Sequence, residues 1–91
     1  GISQSPDGRW IAFWSGRNTD TQSMDLYLYD LKKHKVELLL KKATFYGNYF
    51  TPSWSPDSNK IVFASLEGYV STIDINNSII KNYYEVQINN I

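Results

Sequence analysis

The apolar positions of this chain fall in short runs separated by clusters of turn-forming residues. Ile11 to Trp14 and Ile61 to Ala64 are unbroken runs of β-favouring residues, the pattern of strands buried on both faces. Leu26 to Leu31, Val36 to Leu40, Tyr69 to Ile75 and Tyr83 to Ile88 are further strand candidates. Short extended pieces, Ile2 to Gln4 and Phe50 to Trp54, come before the two unbroken runs. No segment sustains a helical period. Val36 to Lys42 holds good helix formers, but it is too short to stand as a helix alone and reads as strand.

The pattern is stated twice. Ser5-Pro6-Asp7-Gly8-Arg9-Trp10-Ile11-Ala12-Phe13-Trp14-Ser15 returns 50 residues later as Ser55-Pro56-Asp57-Ser58-Asn59-Lys60-Ile61-Val62-Phe63-Ala64-Ser65, identical at six of eleven positions. Leu26 to Leu31 returns as Val70 to Ile75 at a spacing of 44. The difference of six residues is expected in a loop over Gly16 to Asp25, where closure entropy changes slowly with length. In Ser5-Pro6-Asp7-Gly8 the proline presets φ at the second turn position and the glycine accepts positive φ at the fourth, a type I turn pattern. In the second copy, Ser58 or Asn59 must take that conformation.

Each repeat offers four sequential strands joined by short turns, which describes one blade of a β-propeller. The expected fold is all-β, with two four-stranded antiparallel blades over residues 1–48 and 49–91. With strands lettered a to d from the inside out, antiparallel connectivity assigns two rims. Ser5 to Gly8, Lys32 to Lys35 and Asn76 to Ser78 fall on one. Gly16 to Asp25, Lys42 to Tyr49 and Leu66 to Gly68 fall on the other.

The run Trp54-Ser55-Pro56-Asp57 followed by Ile61, Phe63 and Ser65, with Asp74 closing a later strand, resembles the TolB-like propeller repeat. The first copy departs from it at Gln4, where the family usually has Trp. The resemblance covers essentially the whole chain as two units. It implies a ring of six to eight blades and a bacterial periplasmic, cell-envelope or secreted location. The motif residues Ser5, Pro6, Asp7, Gly8, Ser55, Pro56 and Asp57 are structural in this reading. The same repeat serves in envelope proteins, in the gating propeller of prolyl-oligopeptidase-like serine peptidases and in other surface proteins, so the fold does not transfer an activity.

Two blades do not close a ring, and each end would expose an apolar face. The chain is expected to be a piece of a longer protein. The alternative is a ring completed by a homo-oligomer, three copies giving six blades.

Composition narrows the partners. Ninety-one residues support one thin core, and 15% aromatics are many for it. Nine basic residues balance nine acidic ones, which argues against nucleic acid or a membrane surface held by bulk charge. Lys32, Lys33, His34 and Lys35 read as a solvated turn. No run is long enough for a membrane span. The chain has no cysteine, so thiol chemistry and disulfides are excluded.

No catalytic constellation is visible. His34 is the sole histidine and lies in the Lys-rich turn, with no nucleophile elbow in the chain. Asp20 and Asp25 lack calcium-loop spacing. No metal or cofactor is expected. The candidate binding residues are Arg17, Asn18, Asp20, Phe45, Tyr46, Asn48, Tyr49 and Glu67 on one rim, since aromatics mixed with Arg and amides suit recognition. The competing reading has Phe45, Tyr46 and Tyr49 plugging the seam between blades. Trp10 and Trp14 are expected in the core or between blades, and Trp54 beside the central axis. The function expected is a non-catalytic protein or peptide interaction module, with a peptidase-gating or carbohydrate-binding propeller as alternatives.

Overall fold

The computed structural model describes residues 1–47 and 50–85. Among them, β1 (Ile2–Gln4), β2 (Trp10–Asn18), β3 (Ser23–Asp30) and β4 (Lys35–Phe45) form one antiparallel sheet in chain order. β5 (Ser53–Trp54), β6 (Lys60–Ala64), β7 (Tyr69–Asp74) and β8 (Ile80–Glu85) form a second in the same order. These are two four-stranded meanders, the architecture of propeller blades.

The Ser-Pro-Asp turns form because their side chains satisfy the local backbone. Ser5 Oγ donates to Asp7 Oδ1 at 2.6 Å and accepts the Trp10 N–H at 2.9 Å, while Asp7 Oδ1 accepts the Arg9 N–H at 3.0 Å. Ser55 and Asp57 repeat each bond with Lys60 and Asn59. The hydroxyl bonds from Ser5 and Ser55 hold the Asp7 and Asp57 carboxyls below the ordinary value. The fourth position has φ +76° at Gly8 and +62° at Ser58, so Ser58 and not Asn59 adopts the left-handed conformation. The β3–β4 and β7–β8 turns also match. His34 donates to the Asp30 carbonyl and Ser78 to the Asp74 carbonyl, each at 2.8 Å, and each donor has positive φ.

The core lies between the sheets. Ala12, Leu26, Leu28 and Ala43 of the first meet Ile61, Phe63 and Ile73 of the second, and Trp14 packs edge-on to Phe63 with centroids 6.2 Å apart. Trp10, Trp14 and Trp54 all border this cluster. Trp54 Nε1 donates to the Ser3 carbonyl at 3.0 Å, tying the two innermost strands together. Thr44 Oγ1 donates to the Ala64 carbonyl at 2.7 Å, and the Leu66 N–H to the Ala43 carbonyl at 3.1 Å.

Four local expectations change. The segment expected as a loop, Gly16 to Asp25, is mostly strand: β2 runs to Asn18 and β3 starts at Ser23. Gly16 at φ +77° and a register shift between Ser15 and Asn18 absorb the irregularity without ending the pairing. β4 likewise runs on to Phe45. Phe50 precedes β5 and does not join it, and β8 starts at Ile80. The blade boundary expected at 48/49 and the strand expected over 86–88 lie outside the described residues.

Candidate functional site

The long β2–β3 hairpin of the first blade carries Arg17, Asn18 and Asp20 to one end, where the end of β4 brings Phe45 and Tyr46 beside them. Arg17 Nη2 donates to Gln22 Oε1 at 3.1 Å, and the guanidinium carbon sits 4.2 Å from the centre of the Tyr46 ring. The Tyr46 N–H donates to the Gln22 carbonyl at 2.6 Å. Gln22 therefore grips both partners of the cation–π pair, one through its side chain and one through its backbone, which holds a long exposed cation in one orientation.

Beneath this pair lies a polar cluster. Asn18 Nδ2 donates to Asp25 Oδ1 at 2.7 Å and to Ser23 Oγ at 3.2 Å, and Asp25 Oδ1 also accepts the Lys42 N–H at 2.9 Å. Burial of Asp25 opposes its ionisation. The Lys42 amide and the Asn18 side chain outweigh burial and hold the carboxyl below its ordinary value. Asn18 is thus committed to the hairpin itself. Asp20 meets Lys42 Nζ at 3.4 Å with both side chains well exposed, a pair that solvent screens.

Phe45 and Tyr46 are 46% and 48% exposed. Buried Ala43 and Thr44 fill the seam in their place, through the bonds to Leu66 and Ala64 given above. Glu67 stands apart from the Arg17 group, on the β6–β7 turn. It lines a cleft of about 360 Å³ between the blades together with Lys41, Lys42, Ser65 and Asn82. Asn48 and Tyr49 lie outside the described residues. His34 is on the opposite rim, where its Nδ1 lies 3.3 Å from the Tyr29 hydroxyl.

Two residues of this region escaped the sequence reading. Gln22 carries no sequence signal, since its role depends on a φ of +52° that turns it under Arg17. Phe50 is 80% exposed, and its carbonyl accepts Trp14 Nε1 at 2.8 Å. With Trp14, Val62, Phe63 and Val70 it frames an apolar pocket of about 230 Å³.

No family model matches the chain. An uncharacterized protein of Agrobacterium fabrum is 39% identical over 70 residues, which cover 77% of this chain and 22% of that protein. The crystal structure of TolB from Acinetobacter baumannii matches with a TM-score of 0.67 and 25% identity, covering 96% of this chain and 21% of that one. The chain spans about a fifth of the length of each. The likeness to TolB runs across both sheets, and the chain folds as two blades of a TolB-like β-propeller.

Proposed function

We propose that the chain is a non-catalytic module that binds a protein or peptide through the rim formed by the β2–β3 hairpin, the end of β4 and the β6–β7 turn. The supporting observation is the Arg17–Tyr46 pair, oriented by Gln22 and exposed beside Phe45. A preoriented guanidinium over an exposed ring offers hydrogen bonds and apolar area with little further ordering cost, the combination found at interface hot spots. The sole histidine is on the other rim, away from this surface. The likeness to TolB fits an interaction role. Ring completion, by further blades or by copies of this chain, forms part of this reading.

The test is selection of displayed peptides on the purified chain, followed by affinity measurement. Arg17→Ala and Tyr46→Ala should each weaken a selected peptide at least tenfold, and Lys33→Ala on the opposite rim should not. Peptides that bind all variants equally would place recognition elsewhere.

A further inference from the structure

We propose that the cleft between the two blades receives the free C-terminus of an extended peptide whose last residue is apolar. The inference rests on the reading that this rim binds a peptide, and it assigns the part of the peptide held between the end of β4 and the β6–β7 turn. Both walls of the cleft belong to blades that pack on each other within this chain.

The outermost strand of each blade bulges beside this cleft. Met24 pairs with Thr44 and Leu26 with Leu40, so Lys41, Lys42 and Ala43 stand against the single residue Asp25. Lys42 takes φ +53° there, a conformation that a side chain disfavours, and buried Asp25 secures it by accepting the Lys42 N–H at 2.9 Å. In the second blade Val70 pairs with Tyr84 and Ser71 with Asn82, which leaves Tyr83 as the extra residue. Ser71 Oγ donates to Asn82 Oδ1 at 2.6 Å. The bulged strands bring Lys41 and Asn82 to one space of about 360 Å³, room for a single residue of a ligand.

The walls hold charges and donors that the described residues leave unused. Lys41 and Glu67 are exposed and opposite in charge, yet neither forms an ion pair among the described residues. Lys41 exerts only a longer-range pull on Asp25. The bond from Ser71 occupies Asn82 Oδ1 and leaves the Asn82 Nδ2 hydrogens without an acceptor there. Ser65 is 8% exposed, and its hydroxyl oxygen accepts the Tyr69 N–H at 3.0 Å, so its own proton is also free to donate. An ammonium, an amide and a hydroxyl around one cleft suit a carboxylate. Leu40, Phe63 and Ile80 line the same cleft and suit an apolar side chain. The last residue of a peptide carries both groups on one carbon, whereas an internal Asp or Glu has its carboxylate at the tip of the side chain. Glu67 repels a carboxylate at its own end of the cleft and accepts the N–H of the last residue, which sets the direction of the peptide. Capture of a terminal carboxylate is a recurring mode of peptide recognition.

The probe is a library of short random peptides displayed with free C-termini, selected on the purified chain beside the same library closed by a polar tail. Peptides ending in Leu, Ile, Val, Met or Phe should be enriched, and only from the free-ended library. Amidating the terminal carboxylate of a selected peptide should weaken binding by about tenfold or more. Lys41→Ala should do the same, and Lys41→Arg should keep most of the affinity. On the Lys41→Ala chain amidation should cost little more, because the two changes remove one contact. Lys33→Ala on the opposite rim should change nothing, and circular dichroism checks that each variant keeps its sheet. Equal binding of free and amidated peptides overturns the proposal, as does equal enrichment from the tailed library or none from either. The two readings fail separately. Peptides that need Arg17 and Tyr46 but not their own carboxylate overturn the cleft and keep the rim. Peptides that need their carboxylate and Lys41 but not Arg17 support the cleft and remove the Arg17–Tyr46 pair from recognition.

Discussion

The hydroxyl oxygen of Ser58 accepts the backbone N–H of Asp7 at 3.0 Å, joining the first turn of one blade to the matching turn of the other. Ser58 is 4% exposed and sits at φ +62°. A serine in that conformation costs on the order of 1 kcal/mol relative to glycine. The hydrogen bond returns about the same amount. Ser58→Ala keeps the strain and removes the bond, so it should lose about 1 kcal/mol. Ser58→Gly removes both and should stay within about 0.5 kcal/mol of wild type. Urea unfolding of the two variants decides the matter, and a glycine variant less stable than the alanine variant would refute this balance.

Asp30 and Asp74 close equivalent strands but do unequal work. Asp30 is 1% exposed, takes a two-pronged contact from Arg9 at 2.9 Å on each oxygen, and accepts the Lys32 and Lys33 amides. Asn59 replaces Arg9 in the second blade, and Asp74 Oδ1 accepts the Asn76 amide. Removing Asp30 leaves a guanidinium and two turn amides without their acceptor. Asp30→Ala should lower the melting temperature by roughly 10 °C, and Asp74→Ala by less than half of that. Equal shifts measured by calorimetry would show that the Arg9 fork adds nothing to the turn.

Acid should unfold the chain through the turn carboxylates of Asp30, Asp7 and Asp57. The Arg9 hydrogen bonds hold Asp30 far below the carboxylate value of 3.8, and the Ser5 and Ser55 hydroxyls hold Asp7 and Asp57 below it. A pKa lower in the folded than in the unfolded chain contributes stability above the unfolded value, and that stability is lost as pH falls toward the folded one. The melting temperature should therefore be flat from about pH 7 to 5 and drop below about pH 4. In Asp30→Asn the drop should be shallower, because one of the titrating groups is gone. An unchanged slope would assign the acid sensitivity to other groups.

The blades were legible in the sequence because turn chemistry is local. Ser5-Pro6-Asp7 and Ser55-Pro56-Asp57 bond within a few residues of themselves, so the same letters give the same turn. The length of the first hairpin was hidden, because Asn18, Ser23 and Asp25 look like loop residues. They are buried or half-buried strand residues whose polar atoms satisfy one another. The seam was hidden for a different reason. Which residues fill it depends on the spacing between two sheets, and that spacing admits Ala43 and Thr44 and leaves Phe45 and Tyr46 on the surface. The Ser58 latch also spans 51 residues, beyond any local pattern.

The Arg17–Tyr46 pair separates binding from stability. Both residues are exposed, and an exposed cation–π contact is worth about 0.5–1 kcal/mol. Gln22 keeps its backbone bond to Tyr46 when Arg17 is truncated. Arg17→Ala should therefore shift unfolding by no more than about 1 kcal/mol, while Asn18→Ala, which uncovers buried Asp25, should cost about 1–3 kcal/mol. Chemical denaturation of both variants tests this. If Arg17→Ala proved as damaging as Asn18→Ala, the guanidinium would be a structural clamp, and its loss could not serve as a clean probe of the rim.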